Sequence, residues 1–203
     1  MAVPAGFRHL PAHLGAAEQA LLLADVRDVI RRAPLFVPSL PRSGRPFSVR
    51  MSNCGALGWV SDRLGGYRYQ PQHPQTQQAW PAMPSRLLAL WEEVAGGAPR
   101  PEACLINYYA PGAKMGTHRD NDEENKAAPV ISVSLGDDAI FHVGGPARAD
   151  PKHRLVLRSG DVLVLGGAAR LAYHGIDRIA PGTSALLAEG GRLNLTLRRV
   201  RPG

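Results

Sequence analysis

In Gly116-Thr117-His118-Arg119-Asp120-Asn121-Asp122-Glu123-Glu124 an imidazole and a carboxylate stand two residues apart. In an extended segment they project to one side, so His118 and Asp120 can hold an ion between them. A third ligand is needed, and His174, in Tyr173-His174-Gly175-Ile176, is the candidate. It follows several strand-like runs, the usual dispersal of ligands over a folded sheet. Two imidazoles and one carboxylate form a facial triad of the kind that holds iron(II) in non-haem oxygenases, leaving positions open for a co-substrate and oxygen. A His-x-Asp triplet is common by chance, so the remaining residues must supply its context.

The second chemical pattern is Arg192-Leu193-Asn194-Leu195-Thr196-Leu197-Arg198, in which leucines alternate with polar residues. One reading is a half-exposed strand with a solvated face. The other is a fork for a dicarboxylate, because guanidinium binds carboxylate bidentately, with an amide and a hydroxyl between the arginines. Asn107 and Tyr109, again two residues apart, add a second same-face polar pair. Between Ser48 and Tyr69, Met51, Trp59, Tyr67 and Tyr69 lie among Gly55, Gly58, Gly65 and Gly66. Aromatics on a glycine-rich segment suit the stacking of an unpaired base; the competing reading is a hairpin whose aromatics pack inward.

The elements that must carry these groups follow from pattern. Met1 to Gly15 is rich in Pro, Ala and Gly and is expected to be an irregular arm. Leu22, Val26 and Val29 recur at helical spacing over Ala16 to Arg32, and prolines 34, 38, 41 and 46 then make a surface segment. Residues 1–47 thus read as an N-terminal arm and packing helix. Ser85 to Ala95 reads as a second helix with Leu87, Leu90, Trp91 and Val94 on one face, stopped by Gly96-Gly97. From Ala103 the pattern changes to strands at 103–109, 130–135, 139–143, 154–157, 161–165, 170–174 and 192–200, separated by turn residues. Their number and spacing predict a mainly β chain with flanking helices, built on a sandwich or jelly roll.

The 24 Lys and Arg against 17 Asp and Glu give a formal charge of +7, which favours polyanionic partners such as nucleic acid. Cys54 and Cys104 lack both a disulfide framework and zinc-type pairing, which points to a reducing cytoplasm. No secretion signal or membrane segment is read, and a monomer is expected. A calcium loop starting at Asp120 fails, because Asn125 and Ile131 stand where Gly and Glu are required.

Leu105-Ile106-Asn107-Tyr108-Tyr109-Ala110-Pro111-Gly112-Ala113-Lys114, His118-x-Asp120-x-Asp122-Glu123, Tyr173-His174-Gly175 and Arg192-x-Asn194-x-Thr196-x-Arg198 together closely resemble the AlkB family of nucleic-acid demethylases. The resemblance extends upstream through Ser52-Asn53-Cys54-Gly55, taken as turn residues, Leu57-Gly58-Trp59, Pro74-Gln75-Thr76 and Trp80-Pro81-Ala82-Met83-Pro84, and so covers roughly residues 48 to 200.

It implies a double-stranded β-helix domain over 48–203, with a nucleotide-recognition lid over 48–84. The implied reaction is oxidative demethylation of 1-methyladenine- or 3-methylcytosine-type bases in single- or double-stranded DNA, or in RNA. Fe(II), 2-oxoglutarate and O2 are consumed or required, and succinate, CO2 and formaldehyde released. His118, Asp120 and His174 match the iron ligands. Arg192, Asn107, Tyr109, Asn194 and Arg198 match the 2-oxoglutarate contacts, with Arg192 on the distal carboxylate. Trp59, Tyr67 and Met51 match the lid side, while Asp122, Glu123 and Arg148 match positions near the methylated base. Departures bearing on substrate preference are Gly65-Gly66, which lengthens the segment between Trp59 and Tyr67, Tyr108 in place of a frequent Arg, and Leu165 in place of a Trp. Rival readings are a same-fold oxygenase acting on protein or a small molecule, and a nucleic-acid-binding module without turnover.

Overall fold

The computed structural model describes residues 3–202. In chain order the strands are β1 (Phe7–Leu10), β2 (Arg50–Gly55), β3 (Gly58–Asp62), β4 (Gly66–Gln70), β5 (Ala103–Tyr109), β6 (Met115–His118), β7 (Val130–Gly136), β8 (Asp138–Val143), β9 (His153–Leu157), β10 (Val162–Leu165), β11 (His174–Ala180) and β12 (Arg192–Arg198). Two helices, α1 (Ala16–Arg32) and α2 (Ser85–Val94), complete the frame. A large antiparallel sheet runs β1-β10-β7-β12-β5-β2, a smaller one runs β6-β11-β8-β9, and β3 with β4 forms a separate hairpin.

The alternation of β12 decides the layering. Leu193, Leu195 and Leu197 join Ile106, Ile131 and Val133 on one face of the large sheet, where α1 and α2 cover them through Leu22, Val26, Leu87 and Trp91. The polar set Arg192, Asn194, Thr196 and Arg198 is equally buried. It faces the small sheet and lines the space between the two. The half-exposed strand is therefore excluded: β12 sits between β5 and β7 with neither face in water.

α1 forms where its apolar spacing predicts, and the Glu18 carboxylate caps it by accepting the Gly15 N–H at 2.7 Å. Three expectations are corrected. The N-terminal arm is not wholly irregular, since β1 adds an edge strand to the large sheet by pairing with β10. Ser52 to Gly55 is not a turn but part of β2, paired with β5; the stretch that stands outside both sheets is the β3–β4 hairpin. Residues 170–174 are not a strand. Gly167–Ala169 form a 3-10 turn, and β11 starts only at His174, because the backbone N–H groups of Arg170 and Ala172 donate back to Gly167 and Ala169 instead of to a neighbouring strand.

Candidate active site

Strand pairing brings the two candidate imidazoles together. His118, the last residue of β6, pairs with His174, the first of β11, and their ring centroids are 4.5 Å apart. Asp120 lies two residues past the end of β6, on the same side as His118. Its carbonyl accepts from Arg170 at 2.8 Å, and its carboxylate from Arg198 at 2.7 Å. One ligand atom from each of His118, Asp120 and His174 falls within 4.8 Å of the others.

Each imidazole Nδ1 lies 2.9 Å from a backbone carbonyl, Gly116 for His118 and Ala172 for His174. With the proton held on Nδ1, Nε2 presents its lone pair. Burial and the neighbouring His118 push the His174 pKa down to about 4, against the pull of Asp120, so it is neutral at physiological pH. Burial alone would raise the Asp120 carboxyl; Arg198, His174 and His118 override it and hold the group well below the usual carboxylate range. The neutral His174 imidazole, the anionic Asp120 carboxylate and the His118 ring converge as a donor set that fits a divalent transition metal such as iron(II).

These groups open onto a cavity of about 770 Å³ between the sheets. Arg192, 1% exposed, is buried at its floor. Its Nη2 donates to Ser134 Oγ at 2.9 Å, and its guanidinium lies 5.5 Å from the Tyr109 ring centroid, but Nε and Nη1 have no partner. Burial lowers its pKa, and among the described residues no carboxylate bonds to it. Asn107 Oδ1 is likewise buried without a partner. An unpartnered buried guanidinium is costly, and the anion that satisfies it is a carboxylate at this end of the cavity. Asn194 is held by Ser132 at 2.6 Å and accepts from Thr196 at 3.0 Å, so its amide is already oriented. The orphaned Arg192 nitrogens fit a carboxylate of 2-oxoglutarate.

The remaining expected contacts divide. Met51 lines the cavity from β2. Trp59 on β3 stacks on Tyr67 of β4, with centroids 5.6 Å apart and planes inclined by 24°, and its Nε1 donates to Asp122 at 2.8 Å. Arg148 reaches the mouth, its guanidinium 6.0 Å from the Tyr173 ring centroid. Two assignments change. Glu123, 3% exposed, does not line the cavity: it is paired with Arg170 at 3.0 Å and accepts the Tyr69 hydroxyl at 2.5 Å. Arg198 does line it, but its Nη2 and Nη1 donate to Asp120 and to the Tyr69 hydroxyl at 3.1 Å, while Nε, 3.4 Å from the Glu123 carboxylate, makes no hydrogen bond, so it acts first on the metal-side carboxylate.

Of the departures, Tyr108 lies on the helix side of β5, under Arg50, and does not line the cavity. Leu165 lines the cavity, and Gly66, with φ of 66°, closes the hairpin turn beside fully exposed Leu64. Sequence reasoning missed Arg170, which clamps the loop from Asp120 to Ala128. Its signal was a lone arginine within Gly166-Gly167-Ala168-Ala169-Arg170-Leu171-Ala172, too apolar a context for a surface cation.

The fold and this donor set define an iron(II)- and 2-oxoglutarate-dependent oxygenase, and residues 6–198 match the 2OG-Fe(II) oxygenase superfamily. The chain is 47% identical over 201 residues to the alpha-ketoglutarate-dependent dioxygenase AlkB homolog of Caulobacter vibrioides, covering 99% of this chain and 90% of that one. To the alpha-ketoglutarate-dependent dioxygenase AlkB of Escherichia coli it is 48% identical over 189 residues, covering 91% and 85%. The solved structure of OsALKBH1 superposes with a TM-score of 0.78 at 29% identity, covering 98% of this chain and all of that one. The chain belongs to the AlkB family of 2-oxoglutarate-dependent Fe(II) dioxygenases.

Proposed function

We propose that this enzyme oxidatively demethylates N-alkylated bases in nucleic acid, with DNA bearing 1-methyladenine or 3-methylcytosine as the preferred substrate. The observation that carries the reading is the single cavity in which a His-Asp-His donor set, an unpartnered buried arginine and a tryptophan-bearing hairpin meet. Iron(II) with 2-oxoglutarate and O2 supplies the oxidation of the N-methyl group, whose hydroxymethyl product departs as formaldehyde.

The chain's own residues bind, orient and exclude water. His118, Asp120 and His174 hold the metal, and Arg198 keeps Asp120 ionised and aimed. Arg192, Asn107, Tyr109 and Asn194 hold the co-substrate, with Arg192 on the distal carboxylate. Trp59 and Tyr67 on the lid hairpin receive the flipped base, and Met51 forms its floor. Asp122, fixed by the Trp59 indole, offers negative charge to a cationic methylated base. Arg148 and the surplus of basic residues attract the phosphate backbone. Flipping costs a few kcal/mol in a duplex, so single strands are the easier substrate. We read the enzyme as a monomer acting in the cytoplasm. No described helix is long and apolar enough to cross a membrane.

The test is a panel of methylated oligonucleotides, DNA and RNA, single and double stranded, read by formaldehyde release. The 3-methylcytosine DNA strand should be demethylated by wild type and not by Asp120→Ala, with the fold of the variant intact by circular dichroism. Equal turnover by Asp120→Ala would remove the metal site. Absence of release from every methylated oligonucleotide, with 2-oxoglutarate still consumed, would favour a protein or small-molecule substrate.

A further inference from the structure

The small sheet carries a polar ladder on the face opposite the imidazoles of His118 and His174. Thr117 on β6, Asp177 on β11, His142 on β8 and Arg154 on β9 lie on its four successive strands. Thr117 Oγ1 is 2.9 Å from His142 Nε2, and His142 Nδ1 is 2.8 Å from Asp177 Oδ1. Arg154 Nε donates to the other Asp177 oxygen at 2.9 Å, and Lys152 Nζ donates to Thr117 Oγ1 at 2.8 Å. The Thr117 oxygen accepts from Lys152, and because Asp177 can only accept, a neutral His142 takes the Thr117 O–H hydrogen bond on Nε2. Nδ1 then carries the imidazole hydrogen and donates to Asp177. That one tautomer satisfies every group.

The bond from Thr117 to His142 passes over β11 at Gly175, which pairs with His142. A Cβ at Gly175 would stand 2.9 Å and 3.0 Å from His142 Cε1 and Nε2, and 2.7 Å from the Met115 carbonyl, so only glycine leaves the bond room. Thr117 immediately precedes His118, and Gly175 immediately follows His174. The clasp is thus anchored one residue from each imidazole, on the opposite face of the sheet. β6 has need of it. This is a four-residue edge strand whose one sheet neighbour is β11, with a register shift between His174 and Ile176.

We propose that His142 is a positioning residue for the metal centre: through Thr117 it fixes the edge strand that presents His118 to the ion. The proposal rests on the reading of His118, Asp120 and His174 as ligands. Its test is Co(II) titration of the metal-free protein, followed by the visible absorption of the bound ion, beside the melting temperature of the same metal-free sample. His142→Phe keeps bulk and loses the acceptor, His142→Gln restores an acceptor, and Thr117→Val is isosteric.

The Phe and Val variants are expected to bind Co(II) about tenfold or more weakly, the scale set by groups behind metal ligands. His142→Gln should stay within about threefold of wild type, and the Phe and Val effects should not add in the double variant. Unchanged Co(II) affinity in both, with only the melting temperature lowered, would overturn the proposal and leave the ladder a fold-stabilising device. If His142→Phe does not fold, Thr117→Val decides alone. If Asp120→Ala binds Co(II) as wild type does, the ligand reading has failed and the positioning role goes with it.

Discussion

Arg192 is buried with two of its nitrogens unpartnered, so it is destabilising until an anion arrives. Its substitution should therefore split two quantities that usually move together. Arg192→Met is expected to leave the co-substrate-free protein at least as stable as wild type, because a buried uncompensated charge is removed. The same variant should lose affinity for 2-oxoglutarate by roughly tenfold to a hundredfold, the worth of a charge-assisted hydrogen bond. Thermal melting with and without 2-oxoglutarate checks both: wild type should gain stability on addition and the variant should not. A variant that melts well below wild type without ligand, yet is stabilised equally by it, would show that Arg192 serves packing and not the co-substrate.

At the scale of elements, the β3–β4 hairpin pairs with neither sheet and meets the site through a few side chains. Trp59 bonds Asp122, and Tyr69 bonds both Glu123 and Arg198, which in turn holds Asp120. The hairpin is thereby tied to the loop carrying a proposed metal ligand. Trp59→Ala is expected to weaken binding of a 3-methylcytosine oligonucleotide by about five- to a hundred-fold, the range for loss of one base-stacking aromatic. Fluorescence anisotropy measures that loss, and calorimetry of 2-oxoglutarate binding supplies the contrast. If both affinities collapse together, Trp59 is a packing residue and the inward-packed hairpin is the better account.

For the whole molecule the depressed His174 pKa has a thermodynamic consequence. Above the unfolded value of 6.5 the imidazole is neutral in both states and makes no difference to stability. As pH falls from 6.5 towards about 4 the unfolded chain takes up a proton that the folded one refuses, so stability is lost across that window. Asp120, held far below its ordinary 3.8, extends the loss at lower pH, since the unfolded carboxylate is protonated first. The urea midpoint of the metal-free protein should therefore decline between about pH 6.5 and about pH 4, and His174→Gln should flatten that decline. Parallel curves for the two proteins would show that His174 titrates alike in both states.

Local pattern determined much of this protein. α1 and α2, the strands β5, β7, β8, β9, β10 and β12, and the residue types of the facial triad are legible because helical period, alternation and donor chemistry are properties of short segments. The alternation of β12 is legible too, but what its polar face meets is not. Only the opposing sheet shows that Arg192 is enclosed and unpaired, whereas the same heptapeptide on an open sheet would be solvated. Asp120 and Glu123 make the same point within one loop. Their types suggested two functional carboxylates, yet Arg170, arriving from fifty residues away, holds the carbonyl of the first and takes the carboxylate of the second out of the cavity. β1 was illegible because an edge strand of four residues is stabilised by its partner β10 and not by its own composition. Sequence determined which groups were available for the chemistry. Tertiary structure decided which of them face one another and which are left unpaired, because burial and partners are set by chain segments that no local window contains.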